Sequence, residues 1–265
     1  MVRGIDRFKA HFEGFNDHYV LIGGAACYLA MVEVGLEFRA TKDLDIVLCL
    51  EALDVEFVKA LWDFIRKGGY KNQQKSTGKK LFYRFSDPVD TTFPWMLELF
   101  SRIPDALKLQ KDVHLTPIPV DEDLSSLSAI LLDDRYYKFI HESKTESNGM
   151  MIVPPETLIP LKARAWFDLS QRRDAGGMVD EKDIKKHKND VFRLFQVITP
   201  DRTIVIPDTI KADLERFLKA IEDDPPKTLK PFGLGSTGVD EVIKTIRDIY
   251  KLPIADERFR DPSEI

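Results

Sequence analysis

Two aspartates, Asp43 and Asp45, stand one residue apart in the otherwise apolar stretch DLDIVL. Alternate residues of a β-strand point to the same face, so the two carboxylates project side by side while Leu44 and Ile46 point to the other face. Two ionised carboxylates held this close repel each other, and burying them without a counter-charge costs several kcal/mol. Any fold of this chain must therefore bring positive charge to this strand.

Two sources of that charge are open. In the first, the aspartates lie at an exposed strand end and pair with Arg39 or Lys42, as is usual for an isolated Asp-x-Asp motif. In the second, the counter-charge is divalent metal. Two Mg²⁺ ions, about 3.5–4 Å apart and bridged by such carboxylates, serve in-line phosphoryl or nucleotidyl transfer.

The residues before the aspartates favour the metal. Gly23 and Gly24 end the apolar strand HYVLI and begin a segment, AACYLAMVEV, that reads as a helix ended by Gly35. A helix N-terminus offers unpaired backbone N–H groups to phosphate. A side chain at Gly24 would obstruct the approach of a triphosphate to the backbone. A phosphate cradle and a carboxylate pair on neighbouring elements make one site.

A third acid is then expected on an adjacent strand, and FPWMLELFSR supplies Glu98. An acid alone among apolar strand residues is costly to bury without a partner, and metal would be that partner. An outward-facing position on a half-exposed strand is the alternative.

Composition excludes several classes. The chain has 265 residues and a formal net charge of −5, so no global positive field points to nucleic acid or an anionic membrane. Cys27 and Cys49 form no CxxC pair, and we expect reduced core residues of a cytoplasmic protein. No apolar run reaches membrane-spanning length and the N-terminus lacks a signal-peptide core, so we expect no membrane partner.

Hydrophobic patterning predicts an α/β (α+β) fold in two domains, residues 1–153 and 154–265. The first mixes helices with short strands, and the second is mainly helical with one strand-like interruption in TPDRTIVIPD. The predicted strands cover residues 18–22, 44–50, 79–86, 95–101, 113–120 and 136–142, and the predicted helices cover residues 5–15, 25–34, 54–67, 158–169, 182–198, 210–221 and 239–250.

The chain contains, in this order, a strand, Gly-Gly, a helix, Asp-x-Asp and a later acid. This order resembles the nucleotidyltransferase superfamily of DNA polymerase β type. The closer resemblance is to the AbiEii family of nucleotidyltransferase toxins. The residues that match its signature are Gly23, Gly24, Ala26, Arg39, Thr41, Lys42, Asp43 and Asp45. A glutamate stands where the family more often has a third aspartate.

This resemblance implies a catalytic domain with a mixed β-sheet flanked by helices in residues 1–153, and a helical domain in 154–265 that closes over nucleotide and acceptor. It implies Mg²⁺, two ions with Mn²⁺ as a possible substitute, held by Asp43, Asp45 and Glu98. An NTP would be the substrate, and the acceptor would be tRNA, another RNA or a protein. The partner would be a cognate antitoxin. The nucleotide-binding residues would be Gly23, Gly24, Thr41, Lys42, Lys162 and, together with Lys182 and Asp183, Asp190.

Three further groups of polar residues can have either a functional role or an ordinary role at the protein surface. Lys162 can hold a triphosphate or be a solvated lysine. Asp183, His187 and Asp190 share one helix face, which can contact nucleotide or magnesium or be a solvated polar face. The segment 64–86 carries seven Lys or Arg and no acid, and can contact phosphate or be a flexible loop. Lys79, Lys80 and Arg84 abut an apolar strand, which favours a functional role for these three.

Two other classes of function are open. The first is a non-catalytic nucleotide-binding or interaction module on the same scaffold; the presence of all three acids favours an enzyme over it. The second is a metal-dependent phosphohydrolase with water as the acceptor. The sequence has no histidine-rich metal shell, which disfavours this hydrolase.

Overall fold

The computed structural model describes residues 2–49, 52, 54–72, 82–100 and 133–253, with the backbone alone at 72, 82 and 83. The chain divides into two compact units, with the boundary between Leu158 and Ile159. Together they confirm the predicted fold class, a mixed β-sheet with helices followed by a mainly helical unit.

A mixed sheet forms the centre of the first unit. Its strands are β1 (Tyr19–Ile22), β2 (Asp43–Leu48), β3 (Lys71–Asn72), β4 (Phe82–Ser86), β5 (Met96–Phe100), β6 (Thr145–Ser147) and β7 (Met150–Ile152). Their order in the sheet is β3-β4-β5-β2-β1-β7-β6. β2 pairs parallel to β5 and antiparallel to β1, which places both predicted acidic strands side by side in the middle of the sheet.

In the described residues of the first unit, the helices are α1 (Ile5–His11), α2 (Gly23–Glu33), α3 (Val55–Gly68) and α4 (Asp134–Ser143). α3 is amphipathic; Asp54 caps its N-terminus, and Gly69, with φ of 61°, ends it in the left-handed conformation. α2 packs on β1 and β2 and is buried on almost every side, because small residues such as Ala25 and Ala26 allow a close approach.

An aromatic cluster anchors α1 to the rest of the first unit. The Phe8 ring lies 4.5 Å from Phe12, 5.3 Å from Tyr19 and 5.8 Å from Phe64, centroid to centroid. All four side chains are buried. Cys27 and Cys49 are also buried and reduced.

The second unit is built from helices over the residues that are described. The boundary between the units falls within α5 (Pro155–Asp174), which continues through Pro160. The other helices are α6 (Glu181–Phe195), α7 (Asp208–Asp223) and α8 (Val239–Tyr250).

Two predicted strands are wrong. Residues 136–142 belong to helix α4, because Asp133 caps it by accepting a hydrogen bond from the Arg135 amide, and the buried Tyr136, Phe139 and Ile140 follow helical spacing. The strand-like interruption in TPDRTIVIPD, residues 199–208, contains no strand, and the Ile204 amide of this segment donates a backbone hydrogen bond to the Ile249 carbonyl. The predicted strand at 113–120 lies outside the described residues.

Among the described residues, none of the helices combines the length and the apolar character that crossing a bilayer requires.

The α3 cap predicts a pH-dependent stability. Asp54 accepts a 2.7 Å hydrogen bond from the Phe57 amide and lies 3.0 Å from His18 Nε2. These interactions, the amide first, hold the pKa of Asp54 below its ordinary value. The stabilisation is therefore present above the unfolded-state pKa, about 3.9, and is lost as pH falls through the lower folded pKa.

Asp54→Asn keeps an oxygen acceptor but cannot ionise. We expect urea unfolding to show the native protein as more stable than Asp54→Asn at about pH 5, and the difference to shrink as pH falls below about 3.9 and Asp54 becomes protonated in the folded state too. A difference that is constant over this range would contradict the assignment.

Candidate active site

β2 holds the paired aspartates on one face of the sheet. Asp43 opens the strand and is half-buried, whereas Asp45 is buried. Leu44 and Ile46 point to the opposite face, and both are buried. The strand therefore presents two carboxylates side by side, as the sequence pattern predicts.

The third predicted acid lies beside them. In the parallel pairing of β2 with β5, Asp45 is directly opposite Glu98, and Asp43 is opposite Met96. Residues directly opposite each other point to the same face, so the three acids lie on one face of two adjacent strands. Asp45 and Glu98 are each only 7% exposed. Bringing two buried carboxylates together in this way demands a counter-charge.

Arg84 supplies part of that charge. In the antiparallel pairing of β4 with β5 it is directly opposite Glu98. Its Nε donates to Glu98 Oε1 at 2.7 Å, and its Nη2 lies 2.6 Å from the same oxygen. We refer to Asp43, Asp45, Glu98 and Arg84 as the acid row.

The sequence pattern marks Arg84 as a basic residue beside an apolar strand but does not predict its pairing with Glu98. One signal in the sequence could have indicated this pairing. Arg84 is the central residue of the strand FYRFS and Glu98 is the central residue of the strand MLELF. Lys79 and Lys80, predicted to act with Arg84, lie outside the described residues.

The two glycines pack against the acid row. Gly23 has φ of 64°, and a Cβ there would overlap the Asp45 carboxylate. A Cβ at Gly24 would stand 2.6 Å from Thr41 Oγ1. Only glycine lets the backbone at the start of α2 approach Asp45 and Thr41 this closely. Lys42, the next predicted nucleotide-binding residue, is exposed.

The start of α2 adds a positive electrostatic potential beside these carboxylates. Its N-cap residue, Ile22, has no hydrogen-bonding side chain and so cannot cap the first-turn N–H groups. Ile22 is also directly opposite Asp45 in the pairing of β1 with β2. The N-terminal end of a helix favours negative charge, so this corner suits a carboxylate and an incoming phosphate.

The donor set of Asp43 and Asp45 fits a hard divalent cation. Carboxylate oxygens are the ligands that Mg²⁺ and Mn²⁺ prefer, and two of these side chains lie on one face beside the glycine cradle. Glu98 differs, because its Oε1 is bonded to Arg84. Within the described part of the chain, no group of three or more His, Cys, Asp or Glu side chains is arranged to hold a metal.

In the second unit, two of the predicted nucleotide-binding residues bind each other. Lys162 Nζ lies 3.2 Å from Asp190 Oδ2, and the two side chains are 2% and 0% exposed. Arg193 Nη1 lies 3.2 Å from the other Asp190 oxygen. The solvated alternative for Lys162 is therefore wrong.

The Asp-His-Asp face of α6 is not a solvated polar face either. Asp183 is exposed and pairs with Lys186 at 3.0 Å, whereas His187 and Asp190 are buried. Lys182, grouped with Asp183 in the sequence analysis, is exposed. One helix face thus separates into a surface ion pair and a buried ion pair.

Comparisons with known proteins add little. Neither a scan against protein-family models nor a search of curated proteins finds a match. One similar solved structure is an antigenic nucleotidyltransferase-like protein from Paracoccidioides brasiliensis, at 16% identity and a TM-score of 0.43, covering 83% of this chain and 87% of that one. A likeness this distant does not say what this chain does.

The contact between the cradle and Asp45 can be isolated by two alanine substitutions. Gly35, with φ of 76°, also has left-handed backbone, but among the described residues no heavy atom lies within 4 Å of the place for its Cβ. We expect Gly35→Ala to lower the free energy of unfolding by about 1–2 kcal/mol through backbone strain alone. Gly23→Ala should cost at least about 2 kcal/mol more, because its Cβ displaces Asp45. Equal losses in chemical denaturation would show that Asp45 does not pack on Gly23.

The buried ion pair predicts a stability effect. Lys162→Met should lower the free energy of unfolding by about 3 kcal/mol, because it removes a charge partner from the fully buried Asp190. In the double variant Lys162→Met/Asp190→Leu, the free energy of unfolding should fall by at least about 1 kcal/mol less than the sum of the losses in Lys162→Met and Asp190→Leu. Lys186→Met, which breaks the surface pair with Asp183, is the matched control and should cost about 0.5 kcal/mol or less. Additive losses would contradict a buried pair.

Proposed function

We propose that this chain is a Mg²⁺-dependent nucleotidyltransferase that moves a nucleoside monophosphate from an NTP to a macromolecular acceptor. The observation that carries this proposal is the register that sets Asp45 opposite Glu98, with Gly23 packed on the Asp45 carboxylate. This places a carboxylate group and a helix N-terminus at one corner of the sheet. Nucleotidyl transfer needs both, a metal site for the α-phosphate and a cradle for the triphosphate.

The residues of the first unit have separate roles in the proposed reaction. Asp43 and Asp45 hold the cation, which when bound polarises the α-phosphate and neutralises its charge. Backbone N–H groups after Gly23 and Gly24 receive the triphosphate, with Thr41 beside Gly24 in space and Lys42 following Thr41 in the chain.

The transfer step balances without a further reactant. The acceptor hydroxyl oxygen forms a bond to the α-phosphorus, and the bond from that phosphorus to the oxygen bridging to the β-phosphate breaks. The electron pair leaves with pyrophosphate. The hydroxyl proton passes to a carboxylate of the acid row, for which Glu98 is the candidate base.

The narrower identity rests on the resemblance of the signature residues to AbiEii-type toxins. On that basis we propose a toxin of a toxin–antitoxin or abortive-infection system that acts in the cytoplasm, with tRNA, another RNA or a protein as acceptor and a cognate antitoxin as partner. Lys162 and Asp190 remain proposed nucleotide-binding residues. Their mutual pairing in a buried site equally supports a purely structural role in the second unit.

A second function is favoured by one observation. The ion pair of Glu98 with Arg84 ties up one oxygen of the third acid, as expected of a module that binds a nucleotide without transferring it. Such a module would bind NTP through the same glycine cradle and release it unchanged.

A transfer assay tests the proposal. The protein is incubated with Mg²⁺, each of the four α-labelled NTPs in turn, and total RNA plus cell protein. We expect label in an RNA or protein band, and at least about a hundredfold less with Asp43→Asn or Asp45→Asn, because each removes a cation ligand. Glu37→Gln, an exposed acid a few residues before β2, is the control and should leave transfer unchanged.

The possible results separate the functions. Label that stays in solution as nucleotide or phosphate would indicate a hydrolase. NTP binding with no label transferred in any mixture would favour the binding module. Transfer that survives both aspartate substitutions would refute the metal assignment.

A further inference from the structure

Trp95 places an aromatic ring on the surface of the first unit. Its side chain is 42% exposed, and it is the aromatic residue among the exposed large apolar side chains of the described part of the chain. Trp95 immediately precedes Met96, the first residue of β5, which lies directly opposite Asp43. A ring that is open to solvent therefore stands at the end of the strand next to the proposed cation site.

An arginine near the start of the chain is held against this ring. The Arg3 guanidinium lies 5.5 Å from the centre of the Trp95 ring. Gly4 has φ of 73°, and a Cβ there would overlap the backbone of Pro94, so only glycine lets the two segments approach this closely. The Tyr70 hydroxyl donates a 2.7 Å hydrogen bond to the Pro94 carbonyl. Backbone packing therefore fixes the two segments that carry Arg3 and Trp95.

The same N-terminal segment reaches the glycine cradle. Val2 forms a parallel β-bridge with Thr41, and the Thr41 side chain packs on Gly24. The next residues of the two bridged segments are Arg3 and Lys42, and Lys42 is exposed. Two cations and an exposed ring thus lie beside the proposed position of the triphosphate.

A neighbouring arginine–aromatic pair shows how a purely structural contact differs. The Arg7 guanidinium lies 4.5 Å from the centre of the Phe93 ring, but Phe93 is buried and Arg7 donates hydrogen bonds to Asp90 and Thr92. In Arg3, by contrast, Nε and Nη2 are buried and have no hydrogen-bond partner among the described residues. A buried N–H group without an acceptor costs free energy, and a phosphate oxygen bound there would offset this cost.

We propose that Arg3 and Trp95 form a binding position for an unpaired nucleobase and its phosphate. The base stacks on the exposed Trp95 ring, and the ring turns with the base so that the Arg3 guanidinium donates to the phosphate. This inference rests on the proposed nucleotidyl transfer, because that reaction brings nucleobases and phosphates to this corner. Two of its reactants carry them, the incoming NTP and a single-stranded end of an RNA acceptor.

Binding of two fluorescent probes, measured separately by anisotropy, tests this inference without requiring activity. One probe is a single-stranded RNA of about ten nucleotides, and the other is a non-hydrolysable NTP analogue with Mg²⁺. We expect Trp95→Ala to weaken the binding of at least one probe by about fivefold or more, because a stacking surface is lost. Trp95→Phe keeps a ring and should keep most of the affinity.

Arg3→Gln gives the complementary readout. It should weaken the same probe, and with RNA it should make the slope of log affinity against log salt concentration shallower by about 0.7, because one phosphate contact is lost. Arg66→Gln removes an arginine that is 61% exposed and pairs with Asp63, and this matched control should leave the binding of both probes unchanged. With an abasic oligomer of the same length in place of the RNA, Trp95→Ala should have no effect.

The outcomes distinguish the two sources of the base, and this inference from the function beneath it. A loss with the RNA alone would assign the position to the acceptor, and a loss with the NTP analogue alone would assign it to the incoming nucleotide. Binding of both probes and nucleotidyl transfer that are unchanged in Trp95→Ala and Arg3→Gln would overturn the inference and leave the nucleotidyltransferase in place. Equal losses with intact and abasic RNA would also overturn it, because no base would then stack on Trp95. No binding of either probe, together with no transfer, would overturn both.

Discussion

The electrostatic repulsion between Asp45 and Glu98 is the constraint on which the rest of the first unit depends. The two carboxylates are directly opposed on adjacent central strands and almost fully buried, so the fold must supply positive charge or lose stability. Arg84 supplies one charge from the next strand, and α2 directs its N-terminal end towards the same corner. In the proposed function, the carboxylates of this corner hold a cation and, through it, a triphosphate.

The sheet topology brings together the groups that meet this requirement. β2 lies between β5, which brings Glu98, and β1, which leads directly into the glycine cradle. With a side chain at Gly23 or Gly24 the helix could not begin so close to Asp45 and Thr41. The site is therefore built on regular elements in the middle of the sheet, which hold its groups more exactly than loops would.

Local patterns were enough to predict the elements that carry the acids. Asp43 and Asp45 inside an apolar run, the glycine pair and the isolated Glu98 each placed a residue on a strand or a helix end. What could not be predicted was pairing. The pairing of Arg84 with Glu98 depends on strand register. The pairing of Lys162 with Asp190 depends on how two helices pack against each other. Helix α4 was missed because its tyrosines and phenylalanine favour strands locally, whereas the Asp133 cap and burial at helical spacing decided the outcome.

The most direct measurement of the central claim is a crystal structure of the protein with Mn²⁺ and a non-hydrolysable NTP analogue, using the anomalous signal of manganese. Our account predicts manganese bonded to Asp43 and Asp45, the triphosphate at the start of α2, and Arg84 still on Glu98. Nucleotide and metal bound away from the acid row, or no ordered manganese on the two aspartates, would contradict it.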